Sequence, residues 1–275
     1  MRKLIIYCIL FTVPLFLLTF TFYKNLQPEQ NNLSLNIYDN VSKPLSLTIA
    51  VIGDVHLPED NNAIGDFQTL LNEVEMANPD LTVFVGDYIS NPSSIQNITK
   101  HRTLIINSIN KLNKIPKAVV LGNYESWSNA DKWLEDFNKA NVNVLENNII
   151  ILDTKKGKVC IRGLGDIYTN RYIYIDYPKK CKALPKITIT HDPAGAFEDN
   201  IDGLVIAGHT HCGQISFPFI GPLWVPTKAP STAHCGLYQD SKKTVFVTSG
   251  IGTSILPIRI GTQSQWDLLK VNFLR

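Results

Sequence analysis

Short apolar runs alternate with helical patterns through the first half of this chain. The runs Leu45–Ile52, Leu81–Val85 and Ala118–Leu121 are rich in apolar and β-branched residues, and they predict three buried strands. Between the first two runs, apolar side chains recur at the spacing of one helix face, which predicts an amphipathic helix that ends near Pro79. A second helix is predicted from about Ile98 to Leu112. This alternation of strands and helices predicts an α/β fold.

The pattern changes after a third predicted helix, which buries Trp133, Leu134 and Phe137. From there to the C-terminus, predicted strands dominate the chain. They are Val142–Leu145, Ile149–Leu152, Val159–Arg162, Ile187–Thr190, Leu204–Ala207, Gly236–Gln239, Thr244–Thr248 and a last strand near Leu268–Phe273. We therefore expect a βαβαβα half joined to a mostly β half, with the helices outside.

The N-terminus has a different character from the rest of the chain. Leu4–Phe22 is uncharged and mostly apolar, and its length approaches the roughly 20 residues that span a bilayer. No small-residue cleavage site follows it, so residues 1–23 are predicted to be an uncleaved signal anchor, with a cleaved signal peptide as the alternative. Arg2 and Lys3 favour a cytoplasmic N-terminus, which places the folded domain outside the cytoplasm.

The segment between the anchor and the first strand is polar. Residues 24–44 contain five asparagines and two prolines and are predicted to be a linker, followed by one domain at residues 45–275. A net charge of +2, without a basic stripe, gives no reason to expect a nucleic-acid partner.

Polar side chains follow the predicted strands at the points where the strands end. Three strands stop at a glycine that is followed at once by an acid or an amide, and two more stop at histidines. The carboxyl ends of parallel strands share one edge of a sheet, so these side chains are expected to meet there. They are Asp54, His56, Asp87, Asn123, His191, His209 and His211.

Oxygen and imidazole ligands of this kind suit Mn²⁺, Fe or Zn²⁺. Seven ligands exceed the needs of one ion, and they fit two divalent ions about 3.5–4 Å apart, bridged by a carboxylate. Such a pair lowers the pKa of a bridging water, so its hydroxide can act as the nucleophile. A single-metal hydrolase of another fold would leave Asn123 and one histidine unexplained.

The series Asp-x-His, Gly-Asp, Gly-Asn, His and Gly-His-x-His resembles the calcineurin-like metallophosphoesterases, from about Leu45 to the C-terminus. The segment Gly250–Arg259, with His-Cys-Gly-Gln before it, is similar to the membrane-associated bacterial YkuE-type branch. The resemblance implies a β-sandwich flanked by helices, in an αββα arrangement. It also implies how the ligands divide. Asp54, His56 and His211 would hold one metal, Asn123, His191 and His209 the other, and Asp87 would bridge the two.

The chain departs from the family pattern at one position. The family usually has Gly-Asn-His before an acidic residue, and this chain has Tyr124 in the place of that histidine. A neutral tyrosine can donate a hydrogen bond but cannot supply an imidazolium charge. We interpret Tyr124 as a residue that shapes the phosphate site, with packing at the rim of the site as the alternative. Arg259 is a candidate phosphate ligand, and a structural role beneath the last strands is the alternative.

Four of the five cysteines lie in the domain. Cys160, Cys181, Cys212 and Cys235 could form two disulfides in an extracytoplasmic domain. Pairing of Cys212 with Cys235 stays open, because Cys212 lies beside a proposed metal ligand.

Together these features predict a single-pass protein of the bacterial cytoplasmic membrane whose extracytoplasmic domain is a dimetal phosphoesterase. It would hydrolyse a phosphodiester or a pyrophosphate bond, with lipid-linked phosphates and cell-wall phosphodiesters as candidate substrates. The alternative is a non-catalytic module that binds metal and a phosphorylated partner, an interpretation that Tyr124 suggests.

Overall fold

The structure is a computed structural model that describes residues 26–275. The signal anchor predicted at residues 1–23 lies outside the described residues. Among residues 26–275, none of the helices combines the length and the apolar character needed to cross a membrane.

Two six-stranded mixed sheets form the centre of the fold, which confirms the predicted α/β class. The first sheet has the strand order β1-β14-β2-β3-β4-β5, and the second has the order β12-β13-β9-β8-β7-β6. A short hairpin pairs β10 with β11. The strands are β1 (Glu29–Tyr38), β2 (Leu45–Ile52), β3 (Leu81–Phe84), β4 (Lys117–Val119), β5 (Asn143–Val144), β6 (Asn148–Thr154), β7 (Gly157–Gly163), β8 (Lys186–Ile189), β9 (Gly203–Ala207), β10 (Ser216–Phe217), β11 (Gly221–Pro222), β12 (Gly236–Gln239), β13 (Lys243–Val247) and β14 (Gln265–Leu274).

Four α-helices are described, and all of them occur within the first half of the fold. They are α1 (Asn61–Met76), α2 (Ile98–Asn110), α3 (Asn123–Trp127) and α4 (Ala130–Lys139). Their apolar faces, including Phe67, Ile105 and Trp133, pack on the outer face of the first sheet. A second cluster, including Ile49, Val83 and Ile206, lies between the two sheets. Burial of these apolar faces is the main stabilisation of the layers.

The expected second layer of α-helices is not found among residues 26–275. The outer face of the second sheet presents Val205 and Val245, and a 3₁₀ turn at Pro193–Ala196 packs there with Tyr172 and Phe197. The implied αββα arrangement is therefore wrong on this side, because short turns and aromatic side chains bury the few apolar residues that the sheet exposes.

The prediction that residues 24–44 form a linker is also wrong over most of that range. Glu29–Tyr38 forms β1, which pairs in parallel with β14 along all ten residues. Leu35 and Ile37 point into the core, and they belong to an alternating apolar pattern that the many neighbouring asparagines obscure. Pairing with the last strand of the domain supplies the hydrogen bonds that a free segment would make with water.

Two disulfides are formed within the domain. One joins Cys160 of β7 to Cys181, at the end of the 3₁₀ turn Lys179–Cys181. The other joins Cys212 to Cys235, the pairing that the sequence left open.

Candidate metal centre

The seven predicted ligands meet where β2, β3 and β4 of the first sheet and β8 and β9 of the second end. Backbone hydrogen bonds connect the loops after these strands. For example, Asp54 N donates to Gly86 O at 3.0 Å, and His56 N donates to Asp87 O at 3.0 Å. Five of the seven ligands adopt left-handed backbone conformations, which non-glycine residues rarely do outside functional sites. They are Asp54, His56, Asp87, His209 and His211, with φ between 49° and 69°.

The first cluster consists of Asp54, His56 and His211. The Nε2 atoms of His56 and His211 lie 3.0 Å apart, and Asp54 Oδ1 lies 3.7 Å from His211 Nε2. Both Asp54 oxygens accept a hydrogen bond from the His209 backbone N–H, which holds the carboxylate against the loop after β9. These atoms are close enough to share one ion.

The second cluster consists of Asp87, His191 and His209, with Asn123 beside them. His191 Nδ1 lies 2.7 Å from Val85 O, and His209 Nε2 lies 2.6 Å from Pro226 O. A carbonyl oxygen only accepts, so each of these nitrogens carries a proton. The other nitrogen of each ring faces the second cluster and presents a lone pair when the imidazole is neutral. These two nitrogens lie 3.1 Å apart, and Asn123 Oδ1 lies 3.0 Å from His191 Nε2.

Asp87 lies between the two clusters. Its Oδ2 is 3.6 Å from His56 Nε2 and 3.3 Å from His191 Nε2. Its Oδ1 accepts a hydrogen bond from the Tyr124 backbone N–H at 2.9 Å. One carboxylate therefore reaches both clusters, as a bridging ligand must.

The electrostatics of the site are unfavourable without a cation. Burial and the neighbouring Asp87 charge raise the pKa of Asp54 to about 7, against the opposing charge of His191. Burial lowers the pKa of His56 to about 4 and that of His211 well below its usual value. Burial acts to raise the pKa of Asp87, but the charges of His191 and His56 and the hydrogen bonds from His191 and the Tyr124 N–H together lower it to about 2.

This donor set fits divalent metal ions. Lone pairs from imidazoles, carboxylates and an amide converge on two points, and in a buried site they repel one another unless a cation or a proton lies between them. A proton is disfavoured on His56 and His211 of the first cluster, because burial holds both imidazoles neutral. In the second cluster, burial acts to lower the pKa of His191, but the charges of Asp87 and Asp54 raise it well above its usual value, so positive charge is favoured there. The residues therefore suit two cations, one in each cluster.

Glu125 is a further buried residue of the site, and the sequence motifs did not indicate it. Its Oε2 accepts from the backbone N–H groups of Asp87 and Gly122, at 2.8 and 2.9 Å, and its Oε1 accepts from that of Tyr88 at 2.8 Å. Burial raises the pKa of Glu125 to about 7 against the effect of these donors. The carboxylate ties the loop after β3 to the start of α3. In the sequence, its role is indicated only by its position two residues after Asn123.

Tyr124 lies against the first cluster. Its ring meets that of His56 edge to face at 4.6 Å, and its hydroxyl lies 2.9 Å from Ser254 Oγ. It is one wall of a cleft of about 320 Å³ that opens from the metal centre. The remaining walls are largely apolar and include Trp127, Tyr168, Leu223, Trp224, Ile255 and Leu256.

The prediction that Arg259 binds substrate phosphate is wrong for this structure. Its side chain is completely buried, and its guanidinium donates to the backbone carbonyls of Ser249, Gly250 and Gly252 at 2.6–3.0 Å. His211 Nδ1 lies 3.2 Å from Nη2, farther than these three oxygens. Arg259 therefore orders the segment after β13, which is the structural role that the sequence left as the alternative.

Two mixed sheets with paired Asp and His clusters at one edge define a metallophosphoesterase. Residues 47–213 match the family described as Calcineurin-like phosphoesterase, and the chain belongs to that family. Members of the family bind two divalent metal ions and hydrolyse phosphoesters. The resemblance inferred from the motifs is therefore confirmed.

Three relatives illustrate the range of similarity. The chain is 30% identical to the uncharacterized metallophosphoesterase YkuE of Bacillus subtilis, over 77% of this chain and 74% of that protein. It is 29% identical to the uncharacterized metallophosphoesterase Cj0846 of Campylobacter jejuni, over 89% of this chain and 63% of that protein. It is 24% identical to the phosphodiesterase YaeI of Escherichia coli, over half of each chain. The chain thus spans less than two thirds of the last two relatives.

Proposed function

We propose that this protein is a membrane-anchored dimetal phosphoesterase that hydrolyses phosphodiester or pyrophosphate bonds. The observation that carries the proposal is the position of Asp87, one oxygen of which lies within 3.6 Å of a histidine from each cluster. When bound, two divalent ions would acidify a water molecule and neutralise charge on the phosphoryl oxygens.

The residues of the chain would hold this centre in place. Asp54, His56 and His211 would hold one ion, Asn123, His191 and His209 the other, and Asp87 would contact both. The carbonyl oxygens of Val85 and Pro226 keep the lone pairs of His191 and His209 directed at the site. The donor set suits Mn²⁺, Fe or Zn²⁺ alike.

The shape of the cleft supports a diester or a pyrophosphate over a small monoester. Apolar walls of Trp127, Tyr168 and Trp224 begin directly beside the clusters, so a second substituent on phosphorus would be bound there. The Escherichia coli relative YaeI is named a phosphodiesterase, which agrees with this choice.

Tyr124 replaces the usual histidine, and we propose that it shapes the phosphate site. Its hydroxyl is within hydrogen-bonding distance of Ser254 beside the cleft, and burial raises its pKa, so it stays neutral. The enzyme should therefore favour leaving groups that need little protonation. Tyr124→His should raise turnover on poor leaving groups more than on nitrophenolate, and Tyr124→Phe should alter turnover on both. If neither variant changes turnover on any ester, Tyr124 only packs at the rim.

The disulfides support an extracytoplasmic domain. Disulfides persist in oxidising compartments, and this domain contains two. We therefore propose that the N-terminal anchor holds the protein in the bacterial cytoplasmic membrane with the domain outside the cytoplasm.

The test uses the full chain in mild detergent, stripped of metal and reconstituted with Mn²⁺. Hydrolysis of bis(p-nitrophenyl) phosphate is compared with that of p-nitrophenyl phosphate, and Asp87→Asn serves as the control. We expect metal-dependent cleavage of the diester that the variant loses. Two bound metals without hydrolysis would instead favour the non-catalytic module, and absence of metal binding would refute the ligand assignment.

A further inference from the structure

An apolar surface borders the mouth of the cleft. It combines the β10–β11 hairpin, the residues just after it and the loop before Arg259. We call it the apolar rim. Its members include Phe219, which is fully exposed, and Ile220 and Ile255, which are 76% and 82% exposed. The apolar rim consists of Phe217, Phe219, Ile220, Leu223, Trp224, Ile255 and Leu256.

The two segments that form the apolar rim contain no charged side chains. Residues 213–227 and 250–258 include no Asp, Glu, Lys or Arg. Contiguous apolar surface of this kind is rare on proteins that are surrounded by water. Phenylalanine, tryptophan and aliphatic side chains without neighbouring charges are instead typical of surfaces that enter the headgroup region of a bilayer.

The two segments of the rim form one ordered surface. The Gln214 side chain donates to Leu256 O at 2.8 Å and accepts from Ser254 N at 2.7 Å. Ser216 N donates to Ile260 O at 2.8 Å, which pairs the hairpin with the loop. Because Gln214 follows the His209–His211 ligands by three residues, the rim is fixed to the metal centre.

The start of the described chain lies at the same edge of the sheet. Glu29 of β1 pairs with Gln265 of β14, and Asp267 of β14 pairs with Val51, near the C-terminal end of β2. Asp54 follows this end of β2. The chain therefore enters the domain at the edge that carries the metal centre and the rim, rather than at the opposite edge.

Only a few residues separate the predicted anchor from the folded domain. The apolar run ends at Phe22, and Gln27 O already accepts a hydrogen bond from the Gln263 side chain. Five residues of fully extended chain span at most about 18 Å. Because β1 belongs to the sheet, an anchor in the bilayer leaves the domain little freedom to turn its catalytic edge away.

We infer that the apolar rim enters the interface of the membrane that holds the anchor, so that the cleft receives a phosphoester carried on a lipid. The short tether and its point of attachment favour a bilayer over a soluble partner or a second copy. The substrate class rests on the proposed phosphoesterase activity and the position of the rim on the proposed anchor, but the position of the rim does not depend on catalysis.

The first test measures where the rim lies, using the full chain in phosphatidylcholine vesicles that contain brominated phosphatidylcholine. Bromine should quench the fluorescence of Trp224. Phe219→Ser with Ile220→Ser should reduce this quenching, because both side chains would leave the interface. The matched control is Tyr38→Ser with Met76→Ser, two side chains that are 75% and 77% exposed elsewhere on the domain. Quenching that is absent, or equal in both variants, would overturn the inference.

The second test compares two phosphodiesters with the same leaving group: bis(p-nitrophenyl) phosphate in water and phosphatidyl-p-nitrophenol in the vesicles. Loss of two apolar contacts with the bilayer should lower turnover of the lipid diester by about tenfold or more in the rim variant. Turnover of the soluble diester should stay unchanged, because neither substituted side chain lines the cleft. Equal turnover of the lipid diester by the rim variant and the control would overturn the inference.

Failure of the proposed function gives a different result. A wild-type protein that cleaves neither diester contradicts the proposed function, while the quenching experiment still decides the position of the rim. A rim-dependent dimer in detergent, detected by analytical ultracentrifugation, would assign the surface to a second copy and overturn the inference.

Discussion

Glu125→Gln should disturb the metal centre although Glu125 is not a predicted ligand. In the wild type, each carboxylate oxygen accepts from two backbone N–H groups, the fourth being that of Ile89 at 3.3 Å. Glutamine replaces one oxygen with an NH₂ group, which cannot accept. Two buried N–H groups then lose their partner, at about 1–3 kcal/mol each.

The burial of the charged carboxylate reduces the net effect. Burial raises the pKa of Glu125 to about 7, so the ionised form is itself disfavoured in the fold. We therefore expect the lower end of the combined range of about 2–6 kcal/mol, about 2–3 kcal/mol of lost stability at pH 8, where the carboxylate is ionised. For a domain of this size, that loss lowers the melting temperature by about 4–12 °C.

Scanning calorimetry of the metal-free chain in detergent measures this shift, and elemental analysis after reconstitution with Mn²⁺ measures bound metal. The matched control is Glu135→Gln on the exposed face of α4, where the Glu135 carboxylate accepts from Lys132 and Lys139. It should leave both quantities unchanged. If Glu125→Gln also leaves both unchanged, the carboxylate does not hold the two loops, and our explanation of their geometry fails.

Two further perturbations act on the backbone around the ligands. In Gly122→Ala, the new Cβ would lie 2.2 Å from Asp87 Oδ1, so we expect the bridging carboxylate to move and bound metal to fall from two ions toward one or none. The Cys212–Cys235 and Cys160–Cys181 disulfides close loops of similar length, so replacing either pair with serine should lower stability by about 3 kcal/mol in the chain-entropy model. Only loss of Cys212–Cys235 should also weaken Mn²⁺ binding in a titration, because Cys212 follows His211 directly. Equal metal binding by the two serine variants would contradict this.

The strand-end ligands could be recognised from the sequence because each lies within a few residues of a strong local signal. Asp54 and Asp87 both follow a glycine at the end of an apolar run, and that position alone places them at the carboxyl edge of a parallel sheet. Other parts of the site carried no such signal. Arg259 looked like a phosphate ligand, since a guanidinium suits phosphate, but its burial depends on how the segment after β13 folds over it.

The first strand shows the same limit. The alternation of Leu33, Leu35 and Ile37 is present in the sequence, but its partner β14 lies more than 230 residues away. The pairing of β1 with β14 forms only when the two ends of the chain meet, and local strand propensity does not indicate which distant strand will be the partner.

The sequence by itself determined the fold class, the family and the set of polar residues at the strand ends, because these follow from local periodicity and from motifs of fixed spacing. The family resemblance implied that Asp87 bridges two metals, but only the tertiary structure brought the two clusters together around it. Only the tertiary structure decided that Glu125 holds their loops and that the chain enters at the catalytic edge. These are relations between residues far apart in the chain, and they exist only once two sheets have packed together.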